Sequence, residues 1–203
     1  MTAELLSALV VFAFVASITP GPNNMMLLAS GVNFGFRRTV PHMAGITIGF
    51  GLMIVLIGFG IGQLFERWPW LYDALKITSV AYMLWLAWHI AMAGPVTATD
   101  TPANARPMTF LEAAAFQWVN PKAWTMCLGA ISAYTVPSQY FSTMLMVAAA
   151  FTILCPLAVA VWTVFGVSLR GFLANPKRVR LFNIAMALAL VASLWPVAAE
   201  YWK

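Results

Sequence analysis

Two short runs of residues carry chemistry that their surroundings lack. Thr19-Pro20-Gly21-Pro22-Asn23-Asn24 interrupts an apolar stretch from Leu5 to Ser30, and Asn120-Pro121-Lys122 interrupts another from Phe110 to Val136. Pro20 and Pro22 each lack a backbone donor, and Gly21 between them accepts dihedrals closed to other residues. Carbonyls near the middle of the first stretch therefore lose their helical partners. Two half-helices are implied. The half beginning near Asn23 presents unpaired N–H groups and the positive end of a helix dipole, which suit a carboxylate. The carbonyls ending the preceding half suit an ammonium group. A small zwitterion matches both, with Thr19, Asn23 and Asn24 supplying further donors and acceptors. The competing reading is a packing kink with the asparagines bonded to neighbouring helices. Two adjacent asparagines straight after a double break are more polar than a kink needs.

Lys122 puts a charge inside an apolar stretch, which is costly at membrane depth unless it faces a cavity or a partner. Facing a cavity, it would receive a carboxylate. With its helix shifted, it would instead snorkel to the interface and approach Glu112 through water. Spacing alone leaves both open.

These runs sit in a chain whose composition defines its solvent. Of 203 residues, 62% are hydrophobic and 8% charged, with a mean hydropathy of +0.85, against about 25% charged in a soluble domain. The predicted class is an all-α integral membrane protein of about six transmembrane helices in one domain, residues 1–203. The remaining spans are read at Val40 to Leu64, Trp70 to Ala93, Tyr140 to Leu169 and Leu181 to Val197, with a turn at Pro137-Ser138-Gln139. A polar, proline-containing linker at 94–109 separates half one (1–93) from half two (110–203). The first helix is expected to be retained, since Met1 to Ser7 has no basic n-region and no cleavage signal.

The net charge of +5 does not mark a nucleic-acid binder, because the basic residues lie between apolar runs rather than in one patch. Arg37, Arg38, Arg106, Arg170, Lys177, Arg178 and Arg180 fall in loops on one side, against Arg67 and Lys203 on the other. This bias predicts both termini on the periplasmic side. Three spans per half make the second half enter the membrane from the opposite face, the condition for a 3+3 inverted-topology repeat with helices 1 and 4 broken. Such a repeat places a transport site where the two breaks meet.

The remaining candidates read more plainly. Cys127 and Cys155 lie in apolar stretches without a metal or redox spacing and are core residues. Asp73 and Lys76 are spaced for a local ion pair. His42 and His89 lie near span ends, where interfacial hydrogen bonding is expected. Gly45 and Gly49, with Gly51, Gly58, Gly60 and Gly62, make the second helix thin enough for close packing, within the chain or in a homodimer. Trp68, Trp70, Trp195 and Trp202 fit interface anchors. No metal or cofactor motif is present, and no constellation of an enzyme.

The run at 19–24 followed by Gly31, Gly35 and Arg37 resembles the opening signature of the LysE/RhtB amino-acid exporter family. The resemblance continues through Gly45 and Gly49, Leu75-Lys76, Ala81-Tyr82, Trp85-Leu86-Ala87-Trp88 and Asn120-Pro121-Lys122; the last two spans match in hydropathy only. It implies a small inner-membrane exporter of amino acids or their derivatives, driven by the proton-motive force, and is closest in look to the cysteine and O-acetylserine group. Thr39 and Ser79 depart from the family's frequent glycines. No Asp or Glu stands near mid-span to carry the proton. On this reading the site comprises Thr19, Pro20, Gly21, Pro22, Asn23, Asn24, Asn120, Pro121 and Lys122, working by alternating access on a small zwitterionic amino acid surrounded by membrane lipid. The alternatives are a metal-ion transporter of a related superfamily, which would need converging carboxylates, histidines or thiolates, and a helix bundle that transports nothing.

Overall fold

The computed structural model describes residues 1–61, 67–68, 70–92, 106–171, 175–192 and 194, and every regular element among them is helical. Most of the expected linker at 94–109, Gly62, the end of the sixth stretch, Trp195, Trp202 and Lys203 lie outside the described residues.

The first apolar stretch forms α1 (Ala3–Ile18) and α2 (Pro22–Phe34), bent by 54° at the proline break. Thr2 opens α1 by accepting from the Leu5 amide. Pro22 opens α2 at a position where its missing N–H costs nothing.

The loop expected to hold Arg37 and Arg38 is a single residue. Gly35, with φ +78°, turns the chain between α2 and α3 (Phe36–Leu56). That dihedral lies in the region glycine tolerates. The polar run Arg37-Arg38-Thr39 therefore falls in the first turn of a helix, where Thr39 donates to the Gly35 carbonyl and pairs with Ser30. α3 ends in a π-turn at Ile57–Ile61 that contains Gly60 at φ +117°.

After α4 (Trp70–Met92), α5 (Phe110–Phe116) starts with a reciprocal cap. Thr109 accepts from the Glu112 amide and Glu112 from the Thr109 amide. A 3₁₀ turn at Gln117–Val119 and extended backbone at Asn120 separate it from α6 (Pro121–Tyr134). α7 (Tyr140–Leu169) follows a second 3₁₀ turn at Pro137–Gln139. α8 (Pro176–Ala192) begins five residues before the expected Leu181. Asn175 accepts from the Lys177 amide and Pro176 takes the first helical position, so Lys177, Arg178 and Arg180 lie in a helix rather than a loop.

Phe36–Gly60, Asp73–Met92 and Pro137–Leu169 are long and apolar enough to cross a membrane, and the bent pair α1–α2 makes a fourth such span among the described residues. Val11, Ile48, Trp88, Ile153 and Leu188 are exposed on five different helices. An outward surface this apolar needs lipid around it. The chain is a multi-pass membrane protein.

α7 is the hub, packing against α1, α2 and α3, while α3 also packs on α5 and α4 pairs with α8. Glycines set the closest approaches. A Cβ at Gly31 would collide with the Thr163 carbonyl, and one at Gly166 with the Leu28 carbonyl, so α2 and α7 cross backbone to backbone. Gly49 brings α3 against α5, where a Cβ would lie 2.6 Å from Ala114 Cα. Leu9, Phe50, Trp124 and Phe151 anchor the main core cluster, drawn from α1, α3, α6 and α7.

Candidate functional site

A helix ending inside a membrane protein must find partners for its last carbonyls, and at the end of α1 each can be traced. Val15 accepts from the Thr19 amide and Ala16 from the Thr19 hydroxyl. Asn24 donates to the Ser17 carbonyl at 2.9 Å and the Trp162 indole to that of Ile18 at 2.9 Å. The carbonyls of the break itself are met from the other half of the chain. Lys122 Nζ donates to Thr19 O at 2.6 Å, Thr19 Oγ1 at 2.9 Å and Pro20 O at 3.4 Å. Asn24 adds a second bond to Thr19 O at 2.7 Å.

The second break is built alike. Asn120 ends the 3₁₀ turn, caps α6 by accepting from the Lys122 amide, and is buried at 2% exposure. Trp124 donates its indole N–H back to Trp118 O. The breaks are also joined by a reciprocal amide pair: Asn23 Nδ2 donates to Gln117 Oε1 at 2.8 Å and Gln117 Nε2 to Asn23 Oδ1 at 3.2 Å. Gln117 also donates to Ala113 O. By contrast, no side chain caps the N-terminus of α2.

Between the breaks lies a cavity of about 40 Å³. Of the residues singled out in the sequence, Gly21, Asn23, Asn24, Asn120 and Lys122 line it. Thr19 and Pro20 present carbonyls to Lys122 rather than side chains to the cavity, while Pro22 and Pro121 start the two inner half-helices. The snorkelling alternative for Lys122 is not what the fold adopts. Its ammonium is held by neutral oxygens of the first break, and Glu112 is engaged instead by Arg106 at 2.6 and 2.7 Å.

Three lining residues with amide, hydroxyl or thiol side chains escaped the sequence reading of the site. Gln117 looks like a stray amide in an apolar run, and its partner is 94 residues away. The Ser17 hydroxyl is buried beside the Cys155 thiol and, among the described residues, has no partner within hydrogen-bonding geometry. Cys155 is a core residue, as expected, but also forms cavity wall; Cys127 is core alone. No sequence signal marked Ser17 or Cys155.

His89 bonds the Trp85 carbonyl on an exposed face, in line with an interfacial role. His42 is different. It is 2% exposed, with Nδ1 unpartnered among the described residues, because α3 begins earlier than expected and carries it into the interior. Among the described residues, no three His, Cys, Asp or Glu side chains converge as a metal site would require.

The LysE type translocator family model matches residues 14–194. The cysteine/O-acetylserine efflux protein of Escherichia coli (strain K12) is 31% identical over 193 residues, 94% of this chain and 96% of that protein. Those of Salmonella typhimurium (strain LT2) and Klebsiella pneumoniae are 35% and 34% identical, each over 68% of this chain, and 69% and 68% of their own lengths. No solved structure matches.

Proposed function

The chain belongs to the LysE type translocator family, and from that premise we propose that it exports a small amino acid of the cysteine and O-acetylserine class across the bacterial inner membrane. It is a transporter and not an enzyme. The observation carrying the proposal is the cross-bonding of the two helix breaks, Lys122 to Thr19 and Asn23 to Gln117, around a cavity lined by both polar and apolar side chains.

The proposed mechanism is alternating access about that cavity. The substrate amino group meets the Thr19 and Pro20 oxygens of the first break, and its carboxylate meets Lys122 and the uncapped start of α2. The six-span inverted repeat is supported by the way the halves exchange partners. α1 and α2 pack on α7, α5 packs on α3, and the last helix of each half, α4 and α8, pair with one another. A two-fold relation in the membrane plane would produce that pattern, and rocking of the halves would open the cavity to each side in turn. Coupling to the proton-motive force supplies the drive, about 2.3 kcal/mol per charge per 100 mV.

Counterflow in proteoliposomes tests this reading. Unlabelled cysteine or O-acetylserine inside should drive transient accumulation of the labelled compound. Asn24→Ala and Lys122→Ala should abolish it while still giving folded membrane protein. Wild-type protein without counterflow for any small amino acid would overturn the assignment.

A further inference from the structure

We propose that Lys122 is a tethered stand-in for the substrate: its ammonium occupies the amino-group subsite of the empty carrier and is evicted when an amino acid loads. The inference rests on the exporter reading above and adds how the site discriminates.

Three features carry it. First, the ammonium donates to three oxygens, Thr19 O, Thr19 Oγ1 and Pro20 O. An ammonium has three donors and no acceptor, so a substrate amino group would require the same set. The neighbouring carbonyls of Ser17 and Ile18 are held by Asn24 and Trp162, which leaves the Lys122 cradle as the exchangeable one.

Second, the lysine fills the space an amino acid needs. The remaining cavity is about 40 Å³, room for about three waters at roughly 10–15 Å³ each. The lysine stem passes directly over Gly21, where a Cβ would lie 2.6 Å from Lys122 Cδ. Gly21 has extended backbone, φ −179°, so its missing Cβ gives room to the lysine stem rather than a special conformation. The long stem can vacate the site without moving a helix.

Third, among the described residues Lys122 has only neutral oxygens as hydrogen-bond partners and no carboxylate. Bonds between two charged groups are stronger than those to neutral oxygens. Loading therefore exchanges one ammonium for another on the carbonyls, while the displaced lysine gains the substrate's carboxylate. The two events compensate only when the ligand carries both groups. An amine alone strands the lysine, and an acid alone leaves the cradle contested.

Binding by the full-length protein in detergent tests this with cysteine, 2-aminoethanethiol (amine only) and 3-mercaptopropanoate (acid only) under reducing conditions. Wild type should bind cysteine at least tenfold more tightly than either single-group analogue. Lys122→Met empties the cradle, so 2-aminoethanethiol should bind at least tenfold more tightly than to wild type, and the preference for cysteine over it should collapse. Should Lys122→Met fail to elute as a monodisperse species, Lys122→Gln, which keeps a polar but uncharged side chain at the position, should show the same gain to a smaller extent. Folded variants with no gain for the amine would overturn the stand-in role while wild-type cysteine binding leaves the exporter reading intact. Wild type that binds no amino acid would overturn both.

Discussion

Asn23 and Gln117 satisfy each other's amides across 94 residues of sequence, and truncating either removes both bonds of the pair. Asn23→Ala or Gln117→Ala should each lower stability by about 1–3 kcal/mol. The double variant should fall short of the sum by about 0.5–3 kcal/mol, read from unfolding midpoints in detergent; strict additivity would deny the pair. Asn24 and Lys122 were legible in the sequence because prolines next to polar residues, and a charge in an apolar stretch, need a special environment. Gln117 and Ser17 were not. A lone amide or hydroxyl in a membrane helix commonly bonds its own backbone, and only tertiary structure sets these two on the cavity wall. The depth of Lys122 also needed the fold, since the same spacing fits a side chain reaching outward.

Between elements, the glycines at the α2–α7 crossing set the separation of two backbones. Gly31→Ala and Gly166→Ala should each cost about 1–3 kcal/mol through overpacking and reduce the yield of monodisperse protein. A methyl group at Gly129 would meet nothing within 4 Å, so Gly129→Ala should leave yield unchanged or raise stability by about 0.5–1 kcal/mol. Equal behaviour of the three variants would mean that helix propensity rather than approach governs them. The glycine pattern announced close packing but not the partner. Gly45 and Gly49 meet α5 of the same chain, whereas the sequence also permitted a second copy. The boundaries at Gly35 and Pro176 misled for one reason: basic residues in a first helical turn look like a loop when only hydropathy is read.

For the molecule as a whole, the distribution of Lys and Arg speaks to insertion rather than to packing. The orientation drawn from it predicts that a C-terminal alkaline phosphatase fusion is active and a C-terminal green fluorescent protein fusion dark; the opposite pattern would invert the assignment. A different consequence follows from the hub. At about 1.5 Å per residue, the 30 residues of α7 extend about 45 Å, against a hydrocarbon layer of about 30 Å. A rod of that length must lean or project into the headgroups. Because α1, α2 and α3 all rest on it, its lean is transmitted to both sides of the first break. Reconstitution into lipids of graded acyl-chain length should therefore change the counterflow rate, passing through a maximum at the thickness that suits this slanted mast.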